Sequence, residues 1–248
     1  MRRIKITLAY DGSDFHGWQV QPGLPTIQGA IEKIVGEIEG KPVHVAGSGR
    51  TDAGVHALEQ VAAFNLDNPI PLPNLRKAIN RLLPPAVRVL SAEETHADFH
   101  PRFDATSKTY QYRIHRGEIL SPFDWRYVNH FPYPLDEPAF MQAAGLFDGE
   151  HDFSAFAASD DSDHAGKSKV RTIFSSRAWK AGDRLVYEVR GSGFLKHMVR
   201  NIVGALIEVG KGNLGETDLR ALLSLEDRPQ FATAPAKGLF LVRVDYVK

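Results

Sequence analysis

Asp52 is the residue in this sequence with the clearest capacity for chemistry. It lies in the glycine-rich stretch AGSGRTDAGVHA, two residues after Arg50. A carboxylate can act as a nucleophile or as a general base, and a nearby cation can keep it ionised. The structural alternative is that Asp52 caps a turn and that Arg50 screens it, because aspartate before Ala-Gly commonly forms an Asx turn. This stretch alone leaves both interpretations open.

Two nucleotide-binding chemistries fit the same stretch poorly. Gly49 and Gly54 have the spacing of a phosphate-binding loop, but Val55 and His56 follow where that loop needs a lysine and a hydroxyl. The dinucleotide-binding fingerprint also fails, because its third glycine is missing at the required offset. We therefore expect no cofactor held by a glycine loop.

A metal centre is the next alternative, and one histidine pair suggests it. His96 and His100 are separated by three residues, like two zinc ligands on a helix. The glutamate of that motif is absent, Pro101 disfavours a helix at this position, and no third ligand is evident. We therefore expect no metal site, and a metal-dependent hydrolase using these histidines and a carboxylate stands as a competing hypothesis.

A cation that could accompany Asp52 is Arg200, in the stretch GFLKHMVRNIVGALIEVGKG. Residues 194–209 are predicted to form a helix with one wide apolar face, and Lys196, His197 and Arg200 lie roughly opposite that face. Gly204, one turn later, would let another backbone or a ligand approach closely. Taken alone, Arg200 is more typical of a solvated surface cation. If two halves of the chain pack together, it could meet Asp52.

Aromatic residues beside cations form the third candidate feature. Tyr110 and Tyr112 alternate in the strand-like stretch KTYQYRIHR, next to lysine, arginine and histidine. This combination suits the stacked bases and phosphates of a nucleic acid. Aromatic residues are equally typical of any half-buried strand, so the pattern alone does not decide.

The composition excludes several classes of protein. The chain has 248 residues, of which 43% are hydrophobic and 24% charged, with no cysteine and a formal net charge of zero. Disulfides, thiolate nucleophiles and cysteine-ligated zinc are therefore excluded. No apolar run approaches the roughly 18 residues of a membrane span, and the first residues do not form a secretory signal. We expect a globular, cytoplasmic protein with no membrane partner.

The predicted elements repeat in two halves. The first half has the order strand, helix, two strands, helix, strand, which is that of ferredoxin-like folds and RNA-recognition modules. The second half alternates similarly, and we place the boundary between residues 104 and 105, near the stretch HPRFDATS. The predicted strands are residues 3–10, 43–46, 60–66, 87–90, 108–114, 171–178, 185–190 and 239–247, and the predicted helices are residues 26–38, 75–83, 139–146, 194–209 and 216–223.

Six motifs together carry a resemblance to a known family. They are YDGSDFHGWQVQP, GSGRTDAGVHA, DFHPRFDATSKTYQYRI, GEHDFSAF, GFLKHMVRNIVGALIEVGKG and APAKGLFLVRVDY. In this order they resemble the tRNA pseudouridine synthase I family, whose members isomerise uridines at positions 38 to 40 of the anticodon arm. The resemblance runs from Tyr10 to Tyr246, with a departure in the acidic segment of residues 158–168.

The resemblance implies roles for individual residues. Asp52 would be the essential catalytic residue, and Arg200 would pair with it. Arg50 would assist RNA binding and base displacement, and Tyr110 would stack on the target base. The predicted catalytic residues are therefore Asp52, Tyr110 and Arg200, and the predicted RNA-binding residues are Arg50, Tyr110, Lys196, His197 and Arg200.

The resemblance also implies the fold and the partners. The fold would be of the α+β (α/β) class, with two ferredoxin-like or RRM-like halves forming a mixed, mostly antiparallel sheet, helices on one side and a central basic cleft. Residues 1–104 would carry the aspartate, and residues 105–248 the tyrosine and the arginine. The enzyme would act as a homodimer on the anticodon stem-loop of tRNA, without metal or cofactor. A non-catalytic RNA-binding protein of tandem RRM-like modules is the alternative.

Overall fold

A computed structural model of the chain describes residues 1–158, 168–224 and 231–247. The strands are β1 (Arg2–Tyr10), β2 (Ala46–Gly47), β3 (His56–Leu66), β4 (Val87–Thr95), β5 (Ala105–His115), β6 (Asn129–His130), β7 (Gly149–Asp152), β8 (Val170–Ala181), β9 (Arg184–Gly191) and β10 (Leu239–Tyr246). The α-helices are α1 (Ile27–Glu39), α2 (Leu72–Leu82), α3 (Glu137–Ala144), α4 (Met198–Gly210) and α5 (Glu216–Leu222). Most of the acidic segment, residues 159–167, lies outside the described residues. None of the helices in the described ranges is long and apolar enough to cross a membrane.

The chain divides into two compact units. The first comprises Met1–Thr106 together with Phe240–Lys248, and the second comprises Ser107–Leu239. These units differ from the predicted halves in that the end of the chain belongs with the first unit. The assignment of one functional role to each half stays a prediction.

The first unit contains a sheet with the strand order β4-β1-β3-β10. β1 is antiparallel to both β3 and β4. The outer edge of β3 is shared by two partners, because β2 is antiparallel to it at Ala62 and Ala63 and β10 is parallel to it at His56 and Ala57. The succession from β1 to β4 with α1 and α2 confirms the predicted ferredoxin-like order of elements.

Local sequence explains why the first strand and helix form. Every second residue of β1 from position 4 to position 10 is buried, as the alternating pattern predicts. α1 begins after Thr26, whose hydroxyl oxygen accepts the N–H of Gly29 at 3.3 Å. It ends at Gly40, whose φ of 78° lies in the left-handed region that favours glycine. Thr26 is therefore the N-cap of α1.

The second unit contains strands in the order β5-β9-β8-β7, and each neighbouring pair is antiparallel. β6 runs parallel to β5. α3 packs against β8 and α4, and the hydroxyl of Ser176 in β8 donates to the carbonyl of Ala144 at the end of α3, at 2.6 Å. The predicted α+β class with mostly antiparallel strands is confirmed, and the central basic cleft stays a prediction.

The strand predicted for residues 43–46 is present as β2, but its predicted bounds are wrong, because pairing is confined to Ala46 and Gly47. The N–H of Val45 donates to the carboxylate of Glu32 at 3.0 Å, and its carbonyl accepts the side-chain amide of Gln28 at 3.1 Å. Side chains of α1 therefore take the backbone hydrogen bonds that a strand partner would use.

α4 begins at Met198, four residues later than the sequence predicts. The residue before it, His197, has a φ of 60°, in the left-handed region. A right-handed helix cannot continue through that conformation. Histidine adopts it only occasionally, so residue type does not mark the break in advance.

Candidate active site

Asp52 lies in the loop that joins β2 to β3, which we call the aspartate loop (residues 48–55). The loop is bonded to the segment between β1 and α1, since the N–H of Trp18 donates to the carbonyl of Thr51 at 3.0 Å. It also closes on itself through the N–H of Val55, which donates to the carbonyl of Asp52 at 3.1 Å. Two of the sequence motifs thus form one local structure.

Glycines permit this close approach of two chain segments. A Cβ on Gly17 would lie 2.5 Å from the carbonyl oxygen of Thr51, and one on Gly47 would lie 2.5 Å from the indole ring of Trp18. Gly17 also has a φ of 86°, which other residues rarely adopt. A larger residue at either position would push the aspartate loop away from the preceding segment.

Two buried hydroxyl residues of the aspartate loop and two buried residues of the neighbouring strands form a group that we call the polar hub: Ser48, Thr51, Tyr10 and Gln60. Gln60 accepts a hydrogen bond from the hydroxyl of Ser48 at 2.5 Å and donates to the carbonyl of Gly49 at 3.1 Å. The hydroxyls of Tyr10 and Thr51 are hydrogen-bonded at 2.9 Å, and the Gln60 amide lies 3.4 Å from the Tyr10 oxygen. Burial raises the pKa of Tyr10 to about 12, so its phenol is neutral at ordinary pH.

The polar hub is absent from the residues predicted from sequence. Its signal is the glutamine within the otherwise apolar end of the strand stretch LEQVAAF, since a buried amide must find partners. The strand prediction for residues 60–66 begins at this glutamine, whereas β3 begins at His56.

The predicted site residues of the loop differ in exposure from its hydroxyl residues. Ser48 and Thr51 are buried, whereas Asp52 is half-buried and Arg50 is exposed. The Arg50 Nε donates to the side-chain oxygen of Gln19 at 3.2 Å. The loop is therefore held by the buried hydroxyls of Ser48 and Thr51, whereas the side chains of Asp52 and Arg50 are accessible to solvent.

In the second unit, Tyr110 lies in β5 opposite Val189 of β9. It is 7% exposed, and the ring of Phe194 meets it edge-on, with centroids 5.0 Å apart and an interplanar angle of 77°. A Cβ on Gly191 would lie 3.3 Å from the ring of Phe194, so the glycine leaves room for this contact. Phe194, which the sequence pattern marks only as apolar, orients the phenol ring.

Arg200 lies in the first turn of α4 and is half-buried. Its Nε donates to the carbonyl of Ala234 at 2.8 Å, and the N–H of Ala234 donates back to the carbonyl of Arg200 at 3.2 Å. The hydroxyl of Tyr112 donates to the carbonyl of the next residue, Pro235, at 2.8 Å. Burial raises the pKa of Tyr112, and the positive charge of Arg200 opposes that rise. Arg200 therefore binds the segment before β10 and lies near β5.

The predicted close approach at Gly204 is confirmed. The carbonyl oxygen of Ala232 and the ring of Phe231 lie against this glycine, so that any Cβ would overlap the carbonyl. The hydroxyl of Thr233 donates to the side chain of Asn201 on the same helix at 2.7 Å. A backbone segment, and not a ligand, takes up the space that the glycine leaves.

Lys196 and His197 precede α4 and do not lie on its polar face, which corrects their predicted placement. Lys196 is exposed, and its carbonyl accepts the N–H of Ala158 at 2.9 Å. The carbonyl of His197 accepts the N–H of Asn201 at 2.9 Å. Both residues thus belong to the turn that leads into the helix.

The predicted site residues fall into two groups. Arg50 and Asp52 share one loop of the first unit, and the second unit holds Tyr110 in β5 and Arg200 at the start of α4. The pairing of Asp52 with Arg200 would join residues of different units, and it stays a prediction.

The histidines that suggested a metal do not lie on a helix. The ring of His96 meets Phe99 edge-on at 5.7 Å, and the Nδ1 of His100 accepts the N–H of Arg102 at 3.1 Å. Within the ranges that the structure describes, no three His, Cys, Asp or Glu residues are grouped so as to hold a metal ion.

Comparison with known proteins identifies the family. Residues 6–104 and 143–247 match the family model described as tRNA pseudouridine synthase. The chain belongs to the tRNA pseudouridine synthase family. It is 68% identical to "tRNA pseudouridine synthase A" of Solibacter usitatus over 99% of this chain and 100% of that protein. Proteins of the same name from Brevibacillus brevis and Lacticaseibacillus casei are each 43% identical, with 99% of this chain and 100% of each relative covered.

Membership of the tRNA pseudouridine synthase family confirms the predicted resemblance and the predicted class of enzyme, an isomerase. The first matched segment contains Asp52 and the whole polar hub, and the second contains Arg200. Tyr110 lies between the two matched segments.

Proposed function

We propose that this tRNA pseudouridine synthase acts on uridines at positions 38, 39 and 40 of the anticodon stem-loop, with Asp52 as its catalytic carboxylate. The observation that carries the proposal is the aspartate loop, which lies in the segment matched by the family model. Hydrogen bonds from Trp18 and from the polar hub hold Gly49 and Thr51, which precede Asp52. After Asp52, the N–H of Gly54 donates to the carbonyl of Phe15 at 3.3 Å. A carboxylate on so constrained a loop meets its substrate in a constant geometry, which lowers the entropic part of the barrier.

The reaction breaks the bond between ribose carbon 1 and the ring nitrogen of uracil, turns the base and joins ribose carbon 1 to ring carbon 5. Carbon 5 loses its proton and the freed nitrogen gains one, so the product is an isomer and no redox carrier is consumed. Asp52 can add to ribose carbon 1, take the ribose 2-position proton to give a glycal, or add to ring carbon 6. Each of these routes begins with an ionised carboxylate.

Arg200 is the cation that we assign to Asp52 as its partner. A desolvated carboxylate tends to protonate unless a positive charge accompanies it. A guanidinium stays charged and can bind both carboxylate oxygens. The hydrogen bond from Arg200 Nε to the carbonyl of Ala234 supports this role, because it restrains the plane of the guanidinium.

The RNA-binding residues have separate tasks in this proposal. The target nucleotide must leave its helix, at a cost of a few kcal/mol, and Tyr110 stacks on the displaced uracil. Arg50, which is exposed, stabilises the RNA at the position that the displaced base has left. Lys196 and His197, in the turn before α4, contact the phosphate backbone.

The proposal includes a homodimer in the cytoplasm that needs neither metal nor cofactor. Sedimentation equilibrium is the measurement for the assembly. A mass of about twice the 27.5 kDa of the chain is expected, and a monomer at all concentrations would contradict this part alone.

The decisive experiment incubates the protein with an unmodified tRNA transcript and maps pseudouridine by position. We expect the modification at positions 38 to 40, its loss in Asp52→Asn, and RNA affinity within several fold of wild type in that variant. Asp67→Asn is the matched control, because Asp67 is an exposed carboxylate bonded to Lys41 at 2.7 Å. RNA binding without any pseudouridine formation would favour the non-catalytic RNA-binding alternative. Pseudouridine formation that survives exhaustive chelation of metal ions would exclude the metal-dependent hydrolase.

A further inference from the structure

Gln60 is hydrogen-bonded to the aspartate loop before Arg50 and is connected to the loop after Arg50 through the hydroxyl of Tyr10. Its side-chain oxygen accepts the hydroxyl of Ser48 at 2.5 Å, and its side-chain nitrogen donates to the carbonyl of Gly49 at 3.1 Å. The same nitrogen lies 3.4 Å from the hydroxyl of Tyr10, and through that hydroxyl Gln60 reaches the loop again beyond Arg50.

The second attachment is made by Thr51, the residue immediately before Asp52. Its hydroxyl is bonded to that of Tyr10 at 2.9 Å. One buried amide therefore connects, directly or through a single phenol, to three of the four residues that precede the proposed catalytic aspartate. The fourth residue, Arg50, is exposed.

The position of Gln60 in β3 explains why a side chain performs this task. The outer edge of β3 pairs with β10 at His56 and Ala57 and with β2 at Ala62 and Ala63. Gln60 lies between these two pairings and is 0% exposed. The aspartate loop passes this interval, and the amide satisfies loop groups that no neighbouring strand satisfies there.

We propose that Gln60 is a positioning residue for the pseudouridine synthase reaction, and that its amide sets the place of the Asp52 carboxylate through the backbone of the aspartate loop. This inference rests on the proposed function of Asp52. We assign Gln60 no direct contact with the carboxylate or with the RNA.

A side-chain amide meets the hydrogen-bonding requirements of this position. It must accept a hydrogen bond from a hydroxyl and donate one to a carbonyl, which glutamine does with adjacent atoms of one side chain. Methionine has a similar shape and removes both bonds. Glutamate keeps the acceptor, but when ionised it has no donor for the carbonyl of Gly49.

The test compares Gln60→Met with the wild-type protein on an unmodified tRNA transcript. We expect kcat to fall about 10- to 100-fold, because a small displacement of a catalytic group has an effect of that size. KM and the Kd for tRNA should stay within about twofold, because the RNA-binding side chains are unchanged. Hydrogen exchange at the amides of the aspartate loop should accelerate in the variant without RNA.

Gln28→Met is the matched control. Gln28 is also a buried glutamine of the first unit, and its side chain bonds to the carbonyl of Val45 at 3.1 Å and the N–H of Val20 at 3.0 Å. The hydrogen-bond partners of its side chain, Val20, Glu32 and Val45, all lie outside the aspartate loop. The variant therefore loses buried hydrogen bonds of the same kind without loosening that loop. We expect it to lose stability and to keep the wild-type kcat.

Tyr10→Phe is the second variant, because Gln60→Met could fail to fold. It removes only the hydroxyl that joins Gln60 to Thr51, and it should lower kcat by a smaller factor with KM unchanged. A wild-type kcat in folded Gln60→Met, or in Tyr10→Phe if the former does not fold, would overturn the inference. An equal fall of kcat in Gln28→Met would also overturn it. If the wild-type protein forms no pseudouridine, the proposed function fails, and the exchange measurement still decides whether Gln60 holds the loop.

Discussion

The indole ring of Trp18 lies directly against Gly47, so that a Cβ on the glycine would be 2.5 Å from the ring. Trp18 is 2% exposed, and its backbone N–H is bonded to the aspartate loop at Thr51. The tryptophan therefore packs its ring against β2 and is hydrogen-bonded through its backbone to the loop that follows β2. The absence of a side chain at Gly47 is a condition for that packing.

We predict that Gly47→Ala lowers the free energy of unfolding by about 1–3 kcal/mol, because the added methyl group overlaps a buried ring. Urea denaturation measures the change. Gly145→Ala is the control, since φ is −66° and nothing lies within 4 Å of a Cβ at that position. The control should stay within about 0.5 kcal/mol of wild type, and an equal stability of both variants would refute the packing argument.

Arg200→Lys should lose most of the activity, with kcat/KM reduced about tenfold or more, because an ammonium group replaces a planar fork of donors. Lysine also cannot keep the Nε bond to Ala234 while it binds a carboxylate with two parallel hydrogen bonds. Arg177→Lys is the control, because that arginine is 66% exposed and ion-paired with Glu188. Steady-state kinetics on a tRNA transcript compare kcat/KM of the two variants, and Arg177→Lys should keep the wild-type value. An unchanged kcat/KM in Arg200→Lys would place Arg200 outside the site.

Lys196→Ala should weaken tRNA binding and reduce the slope of log K against log salt concentration by about one. Lys196 is exposed in the turn before α4, and its loss removes one phosphate contact in the proposed complex. Filter binding at several salt concentrations measures the slope. The exposed Lys77 on α2 provides the control, and an identical slope for Lys77→Ala and Lys196→Ala would argue against the contact.

Glu137 at the start of α3 gives a prediction on pH. It accepts the Nε of Arg116 at 3.0 Å and forms an ion pair with Lys180 at 2.9 Å. Burial raises the pKa of this carboxyl, but the hydrogen bonds and charges of Lys180 and Arg116 outweigh burial and hold the pKa below its ordinary value.

A lowered pKa in the folded state stabilises the protein above the unfolded pKa of about 4.3, and that stabilisation disappears as pH falls through the folded value. The free energy of unfolding of wild type should therefore exceed that of Glu137→Gln at neutral pH, and the difference should shrink at acidic pH. Urea denaturation across that range, with Glu59→Gln as an exposed control, measures it. A difference independent of pH would contradict the ion pair.

The sequence predicts the elements of this fold well where a hydrophobic pattern is regular or where a capping residue marks the end of an element. Thr26 marks the start of α1, and alternation marks β1. Prediction from sequence fails where a side chain distant in sequence takes the place of a backbone partner. Glu32 and Gln28 do this at Val45. It also fails at His197, because a left-handed histidine carries no sign in its own type.

The candidate site shows the same division. Asp52 and Arg200 stand in distinctive motifs, and the family match includes both. The hydrogen bonds that hold them are not readable in advance, because Gln60 meets Ser48 only after β3 has taken its place beside the loop. A residue that acts through contacts of this kind resembles any other strand residue in the sequence.

The parallel pairing of β10 with β3 has a consequence for synthesis of the protein on the ribosome. Phe240 and Leu241 pair with His56 and Ala57, yet they are translated only after the entire second unit. During that interval the nascent first unit has an uncovered edge at the start of β3, and such edges pair with foreign strands. The order of translation thus leaves this stretch, four residues from the proposed catalytic aspartate, open to misassembly until the end of the chain has been made.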